Sequence, residues 1–96
     1  MRAQGHEARA REAVTRALNA FELAATLARA RGDLVEVAKA YEQSGLISDF
    51  FLGDVKTALA KLVEAQRLNP TAKNIEREVA RLRLAGDHLS RRSPGK

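Results

Sequence analysis

Four breaks divide the chain: Gly32-Asp33, Gly53-Asp54, Asn69-Pro70 and Gly86-Asp87. Glycine after a helical run suits the left-handed position that ends a helix. An aspartate just beyond it caps the next helix by accepting from backbone N–H groups that have no partner. Proline disfavours helical geometry in the residue before it. These breaks predict helices over 6–31, 34–52, 54–68 and 71–85, joined by turns short enough to make each antiparallel to the last. Apolar residues recur at helical spacing in them: Val14, Leu18, Phe21, Ala25 and Ala28 in the first, Val55, Leu59 and Leu62 in the third, Ile75, Val79 and Leu82 in the fourth. The second is weakest, because Gly45 sits mid-helix at a cost of about 1 kcal/mol against alanine. Two shorter helices, 34–44 and 46–52, are the other reading of that segment. The expected fold is all-α, about four antiparallel helices in one domain over 1–86, with a loose basic tail over 87–96.

Composition agrees with that reading. The chain has 96 residues, room for one small domain. Its 18 alanines and 12 leucines favour helix, while the aromatic residues that favour strands are 4%. The absence of cysteine removes disulfides, thiolate metal sites and cysteine nucleophiles. His6 and His88 stand near opposite ends, and no set of three or four ligands converges on either, so no metal is expected. No Gly-rich phosphate loop or nucleophile elbow occurs, so neither a cofactor nor catalysis is expected. Glu7 with Arg11 and Glu12 with Arg16 are four apart, the spacing of pairs that support an exposed helix. Arg31-Gly32-Asp33 spells an adhesion tripeptide, but here it reads as a helix end followed by a cap. The N-terminus is charged throughout, and no uncharged run approaches the roughly 18 residues of a membrane span. The expected location is the cytoplasm, with no membrane partner.

The first helix carries an anomaly. Between Ala17 and Ala30 its only non-apolar residues are Asn19, Glu22, Thr26 and Arg29, which fall on one narrow stripe. The remaining apolar surface is wider than one core needs. Such a helix is either packed on both sides or shared with another chain. With three other helices available the shared option is preferred, and it implies a homo-oligomer or an obligate hetero-complex. Phe21, Leu23 and Leu27 are its candidate contact residues. Residues 6–16 also overhang any partner helix of ordinary length.

The segment Gly53-Asp54-Val55-Lys56-Thr57-Ala58-Leu59-Ala60-Lys61-Leu62-Val63-Glu64-Ala65-Gln66-Arg67-Leu68-Asn69-Pro70 resembles the second half of a tetratricopeptide repeat. That family places Gly-Asp between its two helices and follows it with small, large apolar and small residues and a closing proline. Ala58, Leu62, Ala65 and Pro70 hold those spacings. The first half departs from the pattern: Tyr41, Ser44, Gly45 and Ser48 stand where the family prefers Trp, Leu, Gly and Tyr. An earlier echo, Phe21, Ala24 and Ala25 before Gly32-Asp33, lies too close to be a second full repeat. The resemblance implies one degenerate repeat flanked by single helices, presenting helix faces to a protein or peptide. Some members hold an acidic C-terminal peptide with Lys, Asn and Arg side chains. Lys73 and Arg77 are similar to part of that set, but Glu22 and Thr26 stand where Lys and Asn would be required.

Net charge is +5, so an acidic partner is expected. Lys73, Arg77 and Arg81 repeat every four residues along the last helix, and Arg83, Arg91, Arg92 and Lys96 extend the charge. The row is a solvated face, a contact for an acidic protein, or a track for phosphates. Glu76 and Glu78 interrupt it, and no aromatic is placed to stack on bases. Phe50 and Phe51 are adjacent, and neighbours on a helix point about 100° apart. One is expected in the core, and the other has either a core role as well or that of an interface anchor. The functional expectation is a non-catalytic protein–protein interaction module, an adaptor or assembly subunit. It would use Phe21, Leu23, Leu27, Phe50 and Phe51, with Lys73, Arg77 and Arg81 steering the partner. The alternative is a small basic protein that associates with nucleic acid through the same row.

Overall fold

The computed structural model describes residues 2–92, with side chains described for residues 8–86. It is all-α: α1 (Arg2–Ala30), α2 (Leu34–Leu52), α3 (Val55–Leu68) and α4 (Lys73–Arg92), packed against one another with no strand among the described residues. Two of the breaks work as expected. Gly32 and Gly53 take left-handed backbone, at φ 72° and 63°. Beyond them the Asp33 carboxylate accepts from the Glu36 N–H at 3.2 Å, and Asp54 accepts from the Thr57 N–H at 3.1 Å. The Thr57 bonds hold the Asp54 carboxyl below its ordinary value, because they favour the charged form. At the third break α3 stops at Leu68, and the chain resumes helix at Lys73, two residues later than the sequence suggests.

The fourth break is not a stop. Gly86 lies inside α4, which continues to Arg92, so the tail expected from residue 87 is helical over 87–92. Ser93 to Lys96 lie outside the described residues. Glycine permits a left-handed turn without imposing one. At Gly32 and Gly53 a following amphipathic helix docks back and sets the turn. After Gly86 only Leu89 is apolar before Arg92, too little to drive a further hairpin.

Gly45 does not divide α2, which is one helix over Leu34–Leu52. A Cβ there would lie 2.9 Å from Leu62 Cγ and 3.1 Å from the Ala58 carbonyl oxygen, so α2 and α3 meet closest at this glycine. The local helix cost is offset by a contact no other residue would allow. Ala58, Leu62 and Ala65 are fully buried and join Ala38, Ile75, Val79 and Leu82 in the main core. A smaller cluster holds Ala25 and Ala28 of α1 against Val37 and Ala40 of α2.

Cross-links define how the helices are layered. Asn74 contacts Glu42, and Arg81 reaches Asp49 at 2.7 Å. Both partners advance by two turns, so α4 runs parallel to α2. In the same way Glu22 of α1 contacts Lys61 of α3, and Leu68 packs against the Ala25–Ala28 cluster, so α1 runs parallel to α3. Each helix thus packs antiparallel to the next and alongside the one after. The shortest dimension is 19 Å, about two helices deep. The radius of gyration is 15.2 Å, against about 12–13 Å for a compact chain of this length. The excess comes from α1, whose 29 residues extend about 43 Å while the 14 of α3 extend about 21 Å.

Candidate functional site: the open side of α1

Among the described side chains of α1 only Ala25 and Ala28 are fully buried, and Phe21 is half-buried beside them. Leu23 and Leu27 are 59% and 52% exposed. Glu22 and Arg29, from the polar stripe, are exposed but reach neighbouring helices. Glu22 contacts Lys61, and Arg29 donates to the Tyr41 hydroxyl at 2.9 Å. Thr26 turns back on its own helix, donating to the Glu22 carbonyl at 3.0 Å. Burial pushes the Lys61 ammonium below its ordinary pKa, and the Glu22 carboxylate supplies the partner that a half-covered cation needs. Two residues of the polar stripe thus tie α1 to α2 and α3 at the surface, while Leu23 and Leu27 stand exposed without a neighbour in the core clusters.

Further toward the N-terminus, α1 and α2 enclose an open groove of about 320 Å³ lined by Ala10, Ala13, Val14, Ala17, Ile47 and Phe51. Its lining side chains are all apolar. Phe50, Phe51 and Leu52, in the last turn of α2, are 67%, 70% and 49% exposed. The expectation that one phenylalanine enters the core is corrected here: neither does. The core positions of α2 are taken by Val37, Ala38, Ala40, Ser44, Gly45 and Ser48, small enough for α1 and α3 to approach closely. Phe50 and Phe51 lie past the last of them, where Phe51 borders the groove. Phe50 carries the Arg81 guanidinium 5.5 Å from its ring centre.

Lys73, Arg77 and Arg81 share one face of α4, as their spacing requires, but their charges are differently placed. Arg81 binds Asp49 and Glu78, each at 2.7 Å, and these bonds raise its pKa further. Lys73 lies 3.9 Å from Glu76. Arg77 directs its Nε to the Lys73 carbonyl at 3.4 Å. Three cations stand among three carboxylates, so the row offers little net field. Sequence spacing shows Glu76 and Glu78 but not Asp49, which arrives from α2.

Further positive charge lies on α1, with the exposed Glu12 carboxylate among it. Arg9, Arg11 and Arg16 are exposed, and no ion pair joins them to a carboxylate among the described residues. The Glu12–Arg16 spacing is not closed into a pair. The groove itself escaped the sequence reading. Its signal was the recurrence of Ala10, Ala13, Ala17, Ala20 and Ala24 at spacings of three and four in the overhanging part of the helix.

Among the described residues no three His, Cys, Asp or Glu side chains gather as metal ligands. His6 and His88 fall outside the described side chains. The Ser44 hydroxyl is buried without a hydrogen-bond partner, sealed between helices. No helix among the described residues is long and apolar enough to cross a membrane. Compared with models of protein families, with curated proteins and with solved structures, the chain matches none.

Proposed function

We propose that the chain is a non-catalytic protein–protein interaction module of the cytoplasm, an adaptor or assembly subunit with tetratricopeptide-like helical hairpins. Its partner docks on the open side of α1. The observation that carries this reading is the exposure of Leu23 and Leu27 on a helix whose opposite face is already buried. A continuous apolar surface left in water marks a contact site rather than a scattered exception. The repeat-like part of the reading rests on the sequence resemblance over Gly53 to Pro70. The nucleic-acid alternative has less support because two cations of its row, Lys73 and Arg81, stand beside Glu76, Asp49 and Glu78.

Replacing Leu23 and Leu27 by glutamate tests the proposal. Proteins retained from source lysate after nuclease treatment are expected to be lost from this variant. They are expected to remain on a Lys73→Ala, Arg77→Ala, Arg81→Ala variant. Retention by the leucine variant, with loss from the basic one, would overturn the reading in favour of nucleic acid or an acidic surface.

A further inference from the structure

We propose that the groove between the first half of α1 and the end of α2 is a seat for one amphipathic α-helix with acidic flanks, supplied by a partner chain. This rests on the interaction-module reading and names the partner's chemistry.

The geometry favours a helix. Glu22, which touches α3, lies about 140° around α1 from Ala17, so the groove faces away from α3. It is the recess that the packing order leaves on the other side of the α1–α2 pair. Its floor is small (Ala10, Ala13 and Ala17), and its larger side chains are Val14, Ile47 and Phe51. The same device of small residues opposite larger ones lets α3 approach α2 at Gly45, Ala58 and Leu62. Helix axes separated by about 8–10 Å require such a floor. With no strand edge among the described residues, an extended peptide finds no backbone ladder to join. Helix-in-groove docking, with apolar anchors three and four residues apart, fits the lining.

Charge selects the partner. Arg9 and Arg16 are two turns apart, each adjoining a floor alanine, and both are exposed. A second copy of this chain would bring the same guanidinium groups to the groove, in a protein already at +5. A helix whose flanks carry Glu or Asp would place carboxylates beside them. The α4 row is less suited to this, because Arg81 is committed to Asp49 and Glu78 and Lys73 stands beside Glu76.

The test is a selection on the full chain from a displayed library of amphipathic helices. The apolar stripe is kept leucine-rich, and flank positions are free to be Glu, Gln or Lys. Enrichment of Glu flanks is expected. The selected peptides should bind about tenfold more weakly to Arg9→Glu, Arg16→Glu protein and regain affinity when their flanks are changed to Lys. Ala13→Glu, checked for unchanged helicity and melting, should abolish binding, whereas Lys73→Ala, Arg77→Ala should not affect it. Enrichment of Lys or Gln flanks that ignores Arg9 and Arg16 overturns the acidic-helix proposal. If such peptides still need Ala13, the interaction-module reading survives it. Absence of any helix binder overturns the proposed seat. Micromolar self-association of the chain abolished by Ala13→Glu overturns it too, because a second copy then fills the groove.

Discussion

The two outer helices of the array end it in opposite ways. α4 buries Ile75, Val79 and Leu82 on one side and turns Lys73, Arg77, Arg81 and Arg83 outward, where carboxylates pair with two of those charges, Lys73 and Arg81. Its outer side is mostly charged, with Leu84 exposed beside the row. α1 buries Ala25 and Ala28, ties to its neighbours through the exposed Glu22 and Arg29, and leaves Leu23 and Leu27 outside. The outward side of α1 at Leu23 and Leu27 thus differs from the charged row of α4.

The sharpest way to break the comparison is to truncate a leucine at each edge. Leu82→Ala should cost about 2–5 kcal/mol, since it empties a fully buried site. Leu27→Ala should change stability by less than about 0.5 kcal/mol. Urea titrations of the two variants would check this, and equal losses would mean that α1 is covered in solution. Gly45→Ala probes the joint between the edges. The added methyl meets Leu62 and the Ala58 carbonyl, so overpacking of about 1–3 kcal/mol outweighs the roughly 1 kcal/mol gained in helix propensity. A lowered thermal midpoint is expected, and a raised one would deny the close approach. The smallest effect belongs to Arg81→Ala, at no more than about 1 kcal/mol, because its side chain is 45% exposed. The loss should shrink further as salt is added. A larger, salt-insensitive loss would show that packing on Phe50 matters more than the ion pairs.

The first three helices were legible in local chemistry. Gly32-Asp33 and Gly53-Asp54 carry their own stop and start instructions, and the structure uses both within a few residues of chain. Gly86-Asp87 carries the same letters but goes unused, because a hairpin also needs an apolar helix to return. Gly45 misled for the opposite reason. Its local cost is visible in sequence, while the compensating contact with Leu62 comes from another helix. Among the candidate contact residues, the exposure of Leu23 and Leu27 followed from counting the apolar width of α1. The exposure of both phenylalanines did not follow, since periodicity cannot say where small residues have already filled the core. The Asp49–Arg81 bridge was equally hidden, because it depends on α4 lying alongside α2.

Tyr41 is the chain's one tyrosine, and there is no tryptophan. Arg29 of α1 donates to its hydroxyl, and the Arg29 and Lys61 cations each stand 5.7 Å from its ring centre. The near-ultraviolet spectrum of this protein accordingly comes almost wholly from a ring held where α1, α2 and α3 converge. The molecule thus carries an optical gauge of α1 docking that is separate from helix content.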